Sequence, residues 1–398
     1  MANKAKFAKR MALLGTETAF DVLARAKELE AKGKSIIHLE IGEPDFDTPK
    51  NIKEAAKKAL DEGWTHYVPS PGIPDLRDAI AEYIGKTRGL KLTRDNVCVT
   101  SGAKPIIYFT LLTLVNPGDE VIYPNPGFPI YESCINFVGA KPVPIPLREE
   151  RNFRFDTDEL ASLITKKTKL LILNSPQNPT GGVLEKKDLE RVAELAQRHD
   201  FYILSDEVYD NMLYDGKKFE SIASLPEMFE RTVILNGFSK TYAMTGWRVG
   251  YGVCVPELAA YFGRLNTNID SCTCAFNQRA CIEALKGPQD DAKAMMKKFD
   301  ERRKLFVKGL NEIEGFRCVM PLGAFYAFPN VEEAAKMCKM DFRTLADRLL
   351  DMAGVACLSG TCFGQYGAGF IRFSYANSEK NLTEALNRIA DLIKKLKK

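Results

Sequence analysis

The chain has 398 residues and a formal charge of +4, with 45% hydrophobic and 27% charged residues. That length exceeds one ordinary hydrophobic core and favours two or three domains, and the composition is that of a globular protein. The small charge, with basic residues interspersed among 52 acidic ones, argues against nucleic acid as a partner, and no apolar run reaches the length of a membrane span.

The first residues, MANKAKFAKRMALLGTETAF, are basic but lack a continuous apolar stretch and a small-residue cleavage site, which makes a cytoplasmic protein the expectation. Ten cysteines scattered through a long chain do not read as a disulfide framework, and Cys272 and Cys274 lack the spacing of a zinc knuckle. The histidines His38, His66 and His199 are far apart, so no metal site is expected and the thiols are expected to be reduced and mostly buried.

In chain order, candidate strands are NVCVTSG (96–102), EVIYPNP (120–126), LLILNSP (170–176), FYILSDE (201–207) and TVILNGF (232–238). Helical patterns lie between them: in EKKDLERVAELAQRHD, Leu189, Val192, Ala193 and Ala196 recur on one face. Clusters such as NPGDE and SPQNPTGG punctuate the joins. Short apolar strands alternating with amphipathic helices predict an α/β fold with a mostly parallel central sheet flanked by helices. Past residue 300 the texture changes: DERRKLFVKGLNEI reads as a helix, GAFYAFPNV and GFIRFSYAN as strands, and NLTEALNRIADLIKKLKK as a closing helix. The expected division is a large domain over 49–297 and a smaller α+β domain built from both chain ends, 1–48 and 298–398.

What ends each strand carries the chemistry. LLILN runs into Asn178, FYILS into Asp206 and Tyr209, TVILN into Gly237 and Lys240, and VCVT into Gly102, Ala103 and Lys104. Ligands of open α/β sheets sit beyond the carboxyl ends of the strands, which predicts one shared pocket. TSGAK offers backbone N–H groups where a strand gives way to a helix, a site for phosphate, and Arg248 supplies a planar fork for it. No GxxxxGK[ST] loop is present, and after Gly250 and Gly252 it is Val255 that stands where a dinucleotide fingerprint needs its third glycine. A phosphate-bearing cofactor smaller than a dinucleotide fits better. A lysine beside that phosphate can form a Schiff base, and a carboxylate such as Asp206 can keep a pyridine nitrogen protonated.

NSPQNPTGG, SDEVY and GFSKTYAMTGWRVGY resemble the class I, fold-type I aminotransferases that use pyridoxal 5′-phosphate, and the similarity runs from IGEPDFDTP at residue 41 to IRFSYA at 371. The branch most resembled is the bacterial and archaeal aspartate/aromatic group. The resemblance implies transfer of an amino group from an L-amino acid to a 2-oxo acid, 2-oxoglutarate in most relatives, by a ping-pong route. Lys240 then carries the cofactor as a Schiff base and moves the proton, Asp206 pairs with the pyridine nitrogen, and Asn178 and Tyr209 hold the phenolic oxygen. Arg248 clamps the phosphate with the backbone of Gly102, Ala103 and Lys104, and Phe128 stacks on the ring. Arg372 grips the substrate carboxylate beside Gly42. Tyr67 matches a tyrosine that reaches a neighbouring subunit's phosphate, which implies a homodimer with shared sites.

Plainer roles stand beside these: a helix N-cap for Asp206, core packing for Phe128, a surface ion pair for Arg372, and packing for Trp247. Two departures from the family matter. Gly237 stands where some relatives carry a phosphate-binding serine, and NTNIDSCTC (266–274) lacks the second arginine that many aspartate aminotransferases place there. Glu17 lies in a segment that approaches the substrate in relatives, where it would disfavour a second carboxylate; a solvated charge at a helix start is the stronger expectation. The alternatives to transamination are a β- or γ-lyase or an amino-acid oxidase on the same scaffold, and a non-enzymatic regulator.

Overall fold

The computed structural model describes residues 7–397; residues 1–6 of the expected N-terminal segment and residue 398 lie outside the described residues. A seven-stranded sheet forms the centre. Its strands are β2 (Val97–Thr100), β3 (Glu120–Asn125), β4 (Lys141–Pro146), β5 (Thr168–Asn174), β6 (Tyr202–Asp206), β7 (Thr232–Gly237) and β8 (Gly250–Val253), in the order β2-β8-β7-β6-β5-β3-β4. Neighbours pair in parallel except that β8 runs antiparallel to both β2 and β7.

Side chains alternate between the two faces of this sheet. Leu170, Ile172, Val233 and Leu235 join one apolar cluster, while Leu171, Leu173 and Ile234 point to clusters on the other face. Helices cover both faces, which is why the strands read as continuous apolar runs. One cover comprises α2 (Lys50–Asp61), α3 (Pro74–Arg88) and α9 (Ala275–Lys286); the other contains α4 (Lys104–Leu114), α5 (Ile130–Phe137) and α8 (Pro256–Ile269). Helix α3 shows how local sequence sets the bounds: Pro74 opens it, and Gly89 closes it in the left-handed region at φ 70°. In α7 (Lys186–His199) the expected stripe of Leu189, Val192, Ala193 and Ala196 is buried.

The remaining elements pack against one edge of this body. β1 (Ile37–His38) pairs in parallel with β10 (Val355–Ala356), and β11 (Leu358–Ser359), β12 (Ile371–Ser374) and β9 (Tyr326–Ala327) form a small antiparallel sheet. The long α10 (Asp290–Asn311) and the final α13 (Glu379–Leu396) back it with Phe299, Phe306, Leu310, Leu382 and Ile389. The β1–β10 pair is what carries the N-terminal residues to the C-terminal part of the chain. Between them, α1 (Thr18–Ala31) approaches the carboxyl edge of the central sheet. Among the described residues no helix is long and apolar enough to cross a membrane.

Candidate active site

A cleft of about 880 Å³ opens where the carboxyl ends of the central strands face the small sheet. The strands β2, β5, β6 and β7 all deliver their last residues to this edge. The reversed β8 begins here instead, so Arg248, two residues before it, arrives from the opposite direction.

At the end of β6, Asp206 is only 5% exposed. Its Oδ2 accepts a hydrogen bond from the Tyr131 hydroxyl at 2.5 Å, and its Oδ1 accepts from the Val208 N–H at 3.4 Å. Burial pushes this carboxyl up to about 6, against the pull of the Tyr131 hydrogen bond. The next residue turns the other way: Glu207 accepts from Arg88 at 2.9 Å and from Ser221 at 2.6 Å, and Asp210 accepts from the same guanidinium at 2.5 Å. This buried network anchors the turn that aims Asp206 and Tyr209 into the cleft.

Lys240 follows β7. Its Nζ donates to the Gly42 carbonyl at 2.6 Å and lies over the rings of Tyr209 and Phe325. Burial, and then the nearby Arg372 charge, lower this ammonium from 10.5 to about 8. At pH 7 that leaves about a tenth of the amine unprotonated, far more than for an ordinary lysine.

The anion cradle is made by close backbone approach. Gly102 takes φ 85°, and a Cβ there would stand 2.2 Å from Arg248 Nη2. A Cβ on Gly250 would lie 2.4 Å from the Ala103 nitrogen, so two glycines bring the guanidinium and the start of α4 together. Ala103 caps α4 and Lys104 begins it; Pro105 has no N–H and the Ile106 N–H bonds to the Ala103 carbonyl at 3.1 Å, which leaves the Ala103 and Lys104 N–H groups for an anion at this end. Gly237 has backbone at 3.2 Å from its would-be Cβ, so a serine there would need that backbone to give by a few tenths of an ångström. Phe128 lines the cleft edge-on to Tyr131, with Lys104 Nζ 5.5 Å from its ring centre.

The opposite wall holds Arg372, 4% exposed on β12. Its Nη1 donates to Asn178 Oδ1 at 3.1 Å and its Nη2 to the Glu40 carbonyl; its buried Nε finds no acceptor among the described residues. The guanidinium is sandwiched between the rings of Tyr326 at 4.6 Å and Phe363 at 4.8 Å. This disposes of the surface ion pair as its role. A buried fork with an unserved donor suits a ligand carboxylate. Asn178 spends its Oδ1 on that fork and keeps its amide nitrogen for the cleft.

These residues fit pyridoxal 5′-phosphate: a buried carboxylate for the ring nitrogen, a lysine with a lowered pKa, and a phosphate cradle that side chains at Gly102 or Gly250 would fill. Of the residues expected from the sequence, the structure gathers Gly42, Gly102, Ala103, Lys104, Phe128, Asn178, Asp206, Tyr209, Lys240, Arg248 and Arg372 around one cleft. Tyr67 stands apart, 89% exposed. Trp247 donates to Thr48 Oγ1 at 2.9 Å and is partly buried against the core, as expected.

Glu17 departs from the stronger expectation. It stands at the N-cap of α1 but makes no capping bond; its carboxylate turns to Lys104 on the cleft wall. The α1 start packs against the body through the Gly15 N–H to Ser133 Oγ bond at 2.9 Å, which holds this side chain inward. Two contributors escaped the sequence reading. Tyr131 follows Phe128 at helical spacing, a signal that was available; Tyr326, whose hydroxyl is 2.8 Å from that of Tyr209, comes from 117 residues away and carries no local mark.

Comparison with known proteins agrees with this geometry. The family model for class I and II aminotransferases matches residues 34–389. An aspartate aminotransferase of Pyrococcus horikoshii is 42% identical, covering 98% of each chain, and an aromatic-amino-acid aminotransferase of Thermococcus litoralis is 42% identical over 92% of this chain and 93% of its own. The crystal structure of an aspartate aminotransferase from Rhizobium meliloti superposes with a TM-score of 0.93 at 36% identity, covering 98% of this chain and 99% of that one. The chain therefore belongs to the class I and II aminotransferases, and it is a pyridoxal 5′-phosphate-dependent enzyme that transfers amino groups.

Proposed function

We propose that the enzyme passes the amino group of an L-amino acid to a 2-oxo acid, 2-oxoglutarate in the second half-reaction, with ping-pong kinetics. The observation that carries this reading is the meeting of Lys240 and Arg372 at Gly42: the amine bonds to its carbonyl, and the fork lies behind Tyr326, whose hydroxyl touches the same glycine. A carboxylate on the fork sets the substrate Cα near Lys240 Nζ. When bound, the pyridine ring supplies the electron sink that lets the Cα–H bond break. Lys240 takes the proton from Cα, Asp206 keeps its charge against the ring nitrogen, and Asn178 and Tyr209 donate to the phenolic oxygen. Arg248, with the backbone of Gly102, Ala103 and Lys104, binds the phosphate, and Phe128 covers one ring face.

Substrates of the aspartate type or a broad and aromatic range are both compatible with this cleft, and Glu17 favours the second. Its carboxylate already occupies Lys104, and a dicarboxylic substrate must displace it. The exposed Tyr67 supports a homodimer in which each subunit completes the other's phosphate site; sedimentation as a monomer that turns over at full rate would refute it. The ten unpaired cysteines suit a reducing compartment, the cytoplasm. The division into 49–297 and the two ends, 1–48 and 298–398, is supported by the separate small sheets that the ends build. The decisive experiment is a half-reaction screen of the amino acids, following conversion of the bound cofactor by absorbance. A 2-oxo product without free ammonia is expected; ammonia release without an acceptor overturns transamination in favour of a lyase or oxidase.

A further inference from the structure

Tyr326 is 1% exposed and lies where the two walls of the cleft meet. Its hydroxyl is 2.8 Å from Tyr209 Oη, and its ring carries the Arg372 guanidinium at 4.6 Å. The same hydroxyl sits 2.2 Å from where a Cβ on Gly42 would stand, and the Gly42 carbonyl accepts from Lys240 Nζ. One side chain thus touches the partner of the cofactor's phenolic oxygen, the carboxylate fork and the loop that holds the lysine.

Two hydroxyls at this distance share one proton, which leaves the other proton free to point elsewhere. When Tyr326 donates to Tyr209, the Tyr209 proton faces the cofactor. When the Tyr326 proton turns away, it faces Gly42 and the fork. Arg372 Nη1 and Nη2 each spend one N–H and keep a second, and the guanidinium lies over the Tyr326 ring, so a carboxylate docking on the fork brings a charged acceptor to the Tyr326 side of the pair. A charged acceptor outcompetes a neutral hydroxyl for that proton.

We propose that Tyr326 is a positioning residue that couples the substrate fork to the cofactor edge: its hydroxyl serves Tyr209 when the fork is free and turns to the substrate carboxylate when the fork is taken. Tyr209 is the stronger donor while it accepts from Tyr326, because hydrogen bonds in a chain polarise one another. Substrate binding therefore weakens the Tyr209 bond to the phenolic oxygen and raises the basicity of the Schiff-base nitrogen at the moment the incoming amino group needs a proton acceptor. The charged and titratable groups facing these side chains are Arg372 from β12, Asp206 from β6, Glu17 from the start of α1, Glu43 from the loop after β1, and Arg248. All of them stay in place in a Tyr326→Phe variant.

This inference rests on the assignment of Lys240 and Tyr209 to the cofactor, and its test separates the two. The Schiff-base absorbance of the holoenzyme is titrated with pH in wild type and Tyr326→Phe, each with and without saturating 3-phenylpropanoate, a carboxylate that lacks the amine. Without the carboxylate, Tyr326→Phe should titrate about half a unit higher than wild type. With it, the wild-type value should rise, and the rise in Tyr326→Phe should be smaller by about the same half unit. Equal starting values, or equal rises, overturn the coupling while leaving the site assignment intact. A wild-type holoenzyme with no titrating band overturns both. Should Tyr326→Phe yield no holoenzyme, Tyr209→Phe carries the test: a rise smaller than in wild type supports the coupling, and a rise equal to wild type overturns it.

Discussion

The two walls of the cleft are built in opposite ways. The cofactor wall comes from neighbouring strand ends of one covered sheet, and each of its side chains lies within a few residues of the strand that aims it. Much of its shape is backbone, as where Gly102 and Gly250 let Arg248 meet the start of α4. The substrate wall draws Glu17 and Gly42 from one end of the chain and Tyr326 and Arg372 from the other. Arg372 bonds to a carbonyl 332 residues away and to an amide 194 residues away. Its supports are strands of two to four residues. On the proposed assignment the labour divides: the sheet edge would fix the cofactor, while the smaller elements would recognise the amino acid.

Substitutions probe that division. Lys240→Ala should have the largest effect, a loss of at least ~10⁴-fold in turnover together with the visible Schiff-base band. Retained transamination in the purified variant would sink the assignment. Arg372→Ala should lower kcat/KM for amino acids by about 10²–10³-fold while the cofactor stays bound, read from its absorbance after gel filtration. Loss of cofactor in parallel would erase the distinction between the walls.

Asp206 tests the cofactor wall through pH. Burial raises its carboxyl from 3.8 to about 6, so in the cofactor-free chain the charge opposes folding fully above pH 6, partly between 4 and 6, and not below. Cofactor-free Asp206→Asn should accordingly be more stable than wild type at pH 7, by on the order of 1–3 kcal/mol, with the gain fading as pH falls toward 4. Thermal melts across that range check the sign, and a variant less stable than wild type at pH 7 contradicts it. The same variant should bind the cofactor less tightly, since the ring nitrogen loses its counter-charge.

The smallest effect belongs to the substrate wall. Glu17→Gln should raise the ratio of kcat/KM for aspartate over phenylalanine by about three- to tenfold, because the pair with Lys104 is partly solvated. An unchanged or lowered ratio removes Glu17 from substrate choice.

Much of the fold was legible in the residues. The five expected strands all form, because burial on both faces gives each a continuous apolar run bounded by turn residues. Two strands of the sheet were not anticipated. KPVPIP, β4, carries prolines at alternate positions, which only an edge strand accommodates, and β4 pairs with β3 alone. In β8, Gly250 and Gly252 conceal the strand pattern, yet each is required: a Cβ would meet the Ala103 nitrogen at 2.4 Å or Ile106 Cδ1 at 2.9 Å. GAFYAFPNV contributes only Tyr326–Ala327 to a ladder, and its flanking Gly323 and Asn330 make isolated bridges instead.

The sequence by itself determined the central sheet and the residues that leave its strands, which follow from local periodicity and from short spacings between a strand and the side chain it delivers. The cofactor's identity came with the resemblance of those motifs to a known family. Only the tertiary structure decided that Tyr209 would share a proton with Tyr326, that Tyr131 would hold Asp206, and that Glu17 would face Lys104 rather than water. Each of those contacts joins elements with no common period and separations of 75 to 117 residues, so the partner is chosen by how the bodies close on each other and not by any neighbouring residue.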